Sequence, residues 1–224
     1  MENSRLKNSA LNFASGFLGR VLAILLNFAV RTIFIYCLNE AYLSVNGLYS
    51  NILTVLSLAE LGFGSAMVYR MYAPVAVKDY QKAAALLQFY KKVYIIIGVV
   101  IFLLGLCVIP FMDYIIKDKP DISGLTLYYI LFLVNTSISY WFSSYKASVL
   151  YADQKEYIKT NVQNTMAILQ SGLQIVLLLL FRKYLLYLLI QLAGNIFLNL
   201  YVAHLVDKRY PEIQTYQGAS LSAE

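Results

Sequence analysis

Charge is scarce in this chain. Of 224 residues only 13% are Asp, Glu, Lys or Arg, and there is a single histidine. A soluble domain carries about 25% charged residues, because a water-facing surface needs polar cover. Disorder is excluded on the same ground, since disordered chains combine high charge with low hydrophobicity. Cysteine is equally rare: Cys37 and Cys107 both sit inside apolar segments, which excludes a disulfide scaffold and any zinc-like ligand spacing. Both read as packing residues, and nothing in the spacing supports a bridge. Only four prolines are present, with no low-complexity stretch, so no long linker divides the chain. There is no Walker loop, no pair of catalytic carboxylates and no metal-ligand cluster. The chain is therefore not expected to be an enzyme, and no cofactor is expected.

What the sequence has is apolar length. Hydrophobic residues reach 60% and the mean hydropathy is +0.63, more than one soluble core of this size can hide. A membrane-spanning helix needs about 20 mostly apolar residues, and stretches near 11–38, 43–69, 93–112, 122–145, 160–181 and 184–206 qualify. The expectation is an all-α membrane protein, a bundle of six transmembrane helices over 1–210 with a polar tail over 211–224. Arg20 and Arg31 interrupt the first stretch and Glu60 the second, while His204 is the acid–base group of the sixth. Because two arginines break the first run and it then continues to spanning length, it does not read as a cleavable signal. Pro74 is placed to stop the second span, and residues 79–92 read as an amphipathic helix on the membrane surface.

Orientation follows from Lys and Arg in the loops. Twelve fall in the N-terminal tail, the second and fourth loops and the C-terminal tail, against four at Lys117, Lys119, Arg182 and Lys183. That bias puts both termini in the cytoplasm. It also accounts for the net charge of +6 without nucleic acid, for which no aromatic-interleaved basic patch remains. Many of the 20 tyrosines fall at span ends and read as an interfacial belt. Tyr49 and Tyr128, deeper in their spans, are the better candidates for touching a substrate.

An ionisable side chain deep in a bilayer costs about 2.5–3.5 kcal/mol on insertion scales and points to function. Arg20 and Arg31 are eleven residues apart, about 20° around a helix, and Asn27 shares their stripe. Glu60 lies on a stripe with Asn46. Arg20 and Glu60 both stand roughly 13–15 Å from the cytoplasmic ends of their spans at 1.5 Å per residue, which predicts an ion pair. Asn135, Ser139 and Lys146 share one side of the fourth span, Gln163, Gln170 and Gln174 one side of the fifth. Gln191, Asn195 and Asn199 step along the sixth. Amides also glue membrane helices together, but one-sided stripes on five spans point to a hydrated cavity with a cationic patch from Arg20, Arg31 and Lys146.

Residues 31–35 (RTIFI), 45–76 (with AELGFGSA), 90–98 (YKKVYIIIG), 132–158 (with YADQKEYI) and 207–213 (DKRYPEI) resemble the N-terminal part of Wzx-type polysaccharide and O-antigen repeat-unit flippases of the MOP superfamily. MATE drug exporters and the lipid II flippase are more distant in wording. The resemblance implies one lobe of a MOP/MATE-like transporter in the bacterial inner membrane. It also implies a lipid-linked oligosaccharide, carried on undecaprenyl pyrophosphate, as the partner moved between leaflets. On that footing Arg20, Asn27, Arg31 and Lys146 would hold pyrophosphate. Asn46, Glu60, Asn135, Gln170, Gln174 and Asn195 would line the cavity or take part in coupling. Family members have twelve to fourteen spans in two lobes, so six spans imply a second lobe, a homodimer or an inactive fragment. Two rival readings stand beside it. A MATE-like exporter of small cations would need acids to dominate the cavity, and a membrane assembly subunit would use the polar stripes for packing alone.

Overall fold

The computed structural model describes residues 2–60, 62–116, 122–142 and 144–216. Lys117, Lys119 and the tail beyond 216 lie outside the described residues. Every regular element among them is helical: α1 Glu2–Leu38, α2 Glu40–Ser57, α3 Phe63–Ala76, α4 Tyr80–Val108, α5 Met112–Ile115, α6 Leu125–Trp141, α7 Ala147–Ala152, α8 Glu156–Phe181, α9 Tyr184–Arg209 and α10 Pro211–Thr215. Four helices, α1, α4, α8 and α9, are long and apolar enough to cross a membrane. A fifth crossing results if α6 and the segment 144–152, bent by 44°, count as one. The chain is a multi-pass membrane protein built as a helical bundle.

Six stretches are apolar enough in sequence, yet two of them are not single helices. The stretch 43–69 breaks after α2, whose 18 residues include Ser44, Asn46, Ser50, Asn51 and Thr54. A 3₁₀ turn over Leu58–Glu60 follows, and Gly62 then takes φ +86°. A residue in the left-handed region ends a helix, and glycine reaches it without the Cβ penalty. Pro74 does not stop α3; it lies buried within it, and the helix runs on to Ala76. Residues 79–92 do not form a separate surface helix either. Asp79 caps the N-terminus, its Oδ1 accepting from the Lys82 amide at 2.9 Å, and α4 then runs unbroken for 29 residues. Its first turns are held in place because Ala83 through Leu87 and Tyr90 are buried.

Helix α1 packs along α8, α8 on α9, α9 on α6 and α6 on α4, with α2 against α1, α4 and α6. Both described chain ends fall at one end of this bundle. There Asn12 near the start of α1 donates to the Gln154 carbonyl (3.1 Å) and accepts from the Tyr157 amide (2.7 Å). Close by, Tyr210 after α9 donates to Asp153 Oδ2 at 2.5 Å. The first residues of the expected polar tail are thus structural: α10 turns Ile213 back into a core.

That core, at the termini end, joins Met67, Met71, Leu86, Tyr90, Val149, Leu150 and Val206. A second, at the far end, joins Phe34, Leu38, Tyr49, Tyr129, Leu133, Leu178 and Tyr184. Lipid is as apolar as leucine, so these cores hold by close packing and hydrogen bonds rather than by escape from water. Small residues bring α4 against α6. A Cβ on Gly98 would fall 2.6 Å from Trp141 Nε1, and the Gly105 carbonyl accepts from the Tyr129 hydroxyl at 3.0 Å. Tyr49 is buried in the far core and Tyr128 packs against it, partly exposed. Tyr49 is 1% exposed and donates to the Leu125 carbonyl (3.0 Å), and Tyr128 packs edge-on against Tyr184 with centroids 4.8 Å apart.

Candidate functional site

Between the two cores the facing helices carry amides instead of apolar side chains. On α6, α8 and α9 they fall at helical spacing, so each stripe turns to the same interior. Asn195 Nδ2 donates to the Asn135 carbonyl (2.8 Å), to Asn135 Oδ1 (3.1 Å) and to Ser139 Oγ (3.0 Å). Its own Oδ1 accepts from Asn199 Nδ2 at 2.8 Å, and Ser144 donates to Asn199 Oδ1 at 2.6 Å. Gln174, buried on α8, donates to the Tyr187 carbonyl at 3.3 Å. Gln170 lies against Gly194, where no Cβ intervenes.

These residues surround a hollow of about 450 Å³, walled by Asn27, Asn135, Gln163, Gln170, Gln174, Gln191 and Asn195. A second hollow of about 340 Å³ adjoins it, sharing Asn27, Val30 and Tyr187 and adding Arg31, Asn46 and Gly47. Both fall within the ~300–1,000 Å³ range of ligand pockets. Asn46 is held by Tyr184, its Oδ1 accepting from the Tyr184 hydroxyl at 3.1 Å. No Asp or Glu lines either hollow among the described residues, so Arg31 is the charge that dominates them.

The remaining residues singled out in the sequence lie elsewhere. Glu60 does not pair with Arg20. Its Oε1 accepts from the Tyr94 hydroxyl at 2.9 Å, and Tyr140 stands beside the same carboxyl. It lines a separate hollow of about 710 Å³ with Tyr72, Tyr94, Tyr151, Glu156 and Lys159. The pairing fails because α1 runs along α8 and α2, while the turn at Leu58–Glu60 faces α4. Arg20 stays exposed on α1 with no ion pair among the described residues. Lys146 is not a free cavity cation either: its Nζ meets Asp207 Oδ1 at 2.6 Å and Oδ2 at 2.5 Å.

Sequence reasoning passed over Asp207, Tyr94 and Tyr187. Asp207 follows the apolar run of α9 and appears in the sequence only within the stretch 207–213, with no periodic signal that sets it opposite Lys146. Tyr94 and Tyr187 were hidden by the abundance of tyrosine. Asn12 and Asn164, which tie α1 to α8 through Tyr157 and the Ser15 carbonyl (3.2 Å), left no periodic trace.

Compared with family models, with curated proteins and with solved structures, the chain finds no match in any of the three.

Proposed function

We propose that this chain is one lobe of a carrier that moves an undecaprenyl-pyrophosphate-linked oligosaccharide across the bacterial inner membrane for surface polysaccharide synthesis. The observation that carries the reading is the pair of adjoining hollows inside an apolar bundle, one lined by amides and the other by Arg31, Asn27 and Asn46. Amides donate and accept, which suits sugar hydroxyls. A guanidinium offers two parallel N–H donors to a pyrophosphate. The prenyl tail would stay in lipid beside the many exposed apolar side chains of α1 and α8.

On this reading the chain crosses six times with both termini cytoplasmic. The second crossing is broken after Ser57, at the 3₁₀ turn Leu58–Glu60, and the fourth after Trp141. Irregular backbone at membrane depth is tolerated where it lines a cavity, and the Glu60 hollow lies at the first of these breaks. Arg20, exposed on α1, would face the other half of the carrier, either a second six-span lobe or a second copy of the chain. Parallel repeats about an axis along the membrane normal are a known transporter plan. The acid-free lining of the two hollows weighs against an exporter of small cations.

An assembly subunit is the rival that one observation favours, because Asn135, Ser139, Asn195 and Asn199 bond to one another. Reconstitution separates the two. Vesicles holding the chain, alone or fused in tandem to a second copy, are loaded with a fluorescent undecaprenyl-pyrophosphate disaccharide. Dithionite added outside should then quench the inner-leaflet pool over time. Protection equal to that in empty vesicles, for both forms, would overturn the carrier reading and leave the assembly role.

A further inference from the structure

At the termini end of the bundle a cleft of about 580 Å³ opens between α4, the turn Ser144–Lys146, α9 and α10. Lys91, Lys92 and Lys146 line it with one acid, Asp207. Lys146 is held by that acid through both carboxylate oxygens, which fixes its ammonium at the wall. Lys91 and Lys92 are exposed and have no carboxylate partner among the described residues. The cleft therefore keeps a net positive charge and unused donors, to which Gln88 and Gln214 add amides. Its remaining walls are the Tyr145 ring and the apolar Ala84, Leu87, Ile95 and Ile213.

The position of the cleft along α4 decides what would fill it. Lys92, Ile96, Val99 and Leu103 recur at i, i+4, i+7 and i+11, on one face of the helix. Ile96, Val99 and Leu103 are exposed there, Ile96 to 61%. A cationic cleft thus sits at the head of an open apolar stripe, Ile96 to Leu103, on a membrane helix. A soluble anion would use the lysines and leave the stripe idle, whereas a phospholipid would use both.

We propose that this cleft is a binding site for one anionic phospholipid. The phosphodiester lies among Lys91, Lys92 and Lys146, and an acyl chain lies along Ile96, Val99 and Leu103. Basic clefts between membrane helices at the headgroup level recognise lipids in this way. The site is independent of the two hollows and stands whether or not the chain is a carrier.

Native mass spectrometry of the full chain in detergent tests it, with short-chain phosphatidylglycerol as the probe and phosphatidylcholine of the same chain length as comparator. One phosphatidylglycerol should bind well ahead of phosphatidylcholine. Lys91→Gln with Lys92→Gln, both exposed and without an ion-pair partner among the described residues, should fold normally and weaken that binding roughly thirty-fold. Lys82→Gln removes the same kind of charge from α4 outside the cleft and should change nothing. Equal binding of the two lipids, or equal losses in the Lys82 and Lys91/Lys92 variants, would overturn the site. Displacement of the lipid by millimolar inorganic phosphate would overturn the lipid assignment in favour of a soluble anion.

Discussion

The Tyr94 hydroxyl on α4 donates a hydrogen bond to Glu60 Oε1 at the break between α2 and α3, across 2.9 Å. The carboxylate inside the bundle is therefore satisfied by phenols and not by a guanidinium. With no buried cation beside it among the described residues, Glu60→Gln exchanges charge-assisted hydrogen bonds for neutral ones, a loss of about 1–1.5 kcal/mol. Unfolding of the purified variant in detergent measures it. A loss above about 3 kcal/mol would instead mark an abandoned ion-pair partner, and Arg20 would again be the residue to examine.

The cation bias gives a second expectation. Described residues place Lys155 and Lys208 near the termini end, and Arg182 with Lys183 in the tight connection between α8 and α9 at the other. With Cys37 and Cys107 first replaced by alanine, cysteines at Lys183 and Lys208 should label from opposite sides of intact cells, Lys208 from the cytoplasm. Labelling from one side would show that α9 does not cross.

Periodicity and apolar length made the helices legible, and the amide stripes on α6, α8 and α9 too, because both signals are local and repeat. The hollow walled by Asn135, Gln170, Gln174 and Asn195 is where those stripes meet. What depth and wheel arithmetic missed is which helices are neighbours. Arg20 and Glu60 agree in depth, yet α1 lies along α8, and Tyr94 reaches Glu60 first. The broken second span was half-visible in Gly62, whose left-handed φ depends on context. The role of residues 207–213 was masked by their polarity: Asp207 holds Lys146, Tyr210 holds Asp153 and Ile213 is buried.

At the termini end, Asp153 accepts from Tyr210 and also pairs with Lys155. Burial, and then the hydrogen bond to Asp153 and its charge, push the Tyr210 phenol well above its ordinary value. The folded state therefore holds this proton more tightly than the unfolded chain does. The contribution is complete below the unfolded value of about 10 and is lost as pH rises above it. Thermal melts between about pH 8 and about pH 11 should show a downward slope that Tyr210→Phe flattens. At neutral pH the same variant should cost roughly 1–2 kcal/mol for the lost charge-assisted bond. An unchanged slope in the variant would assign the alkaline loss to other groups.

Arg31 offers the sharpest test of the carrier reading. It lies on α1 at the mouth of the hollow it shares with Asn27 and Asn46, exposed and without an acidic partner among the described residues. A structural arginine at membrane depth would be expected to hold a carboxylate or backbone carbonyls; this one is open to whatever enters. Removing it breaks no described ion pair or hydrogen bond, so Arg31→Ala should express and melt like the parent, within about 0.5 kcal/mol. Transport of the fluorescent undecaprenyl-pyrophosphate disaccharide should nevertheless fall to the rate of empty vesicles. Arg31→Lys should restore only part of it, since an ammonium lacks the planar fork that grips two phosphate oxygens. Asn46→Ala, on the same wall, should slow transport without abolishing it, because it removes a polar contact and leaves the charge. Full transport by Arg31→Ala in a form that is active before mutation would remove the cation from the mechanism. The two hollows would then have to act through their amides alone.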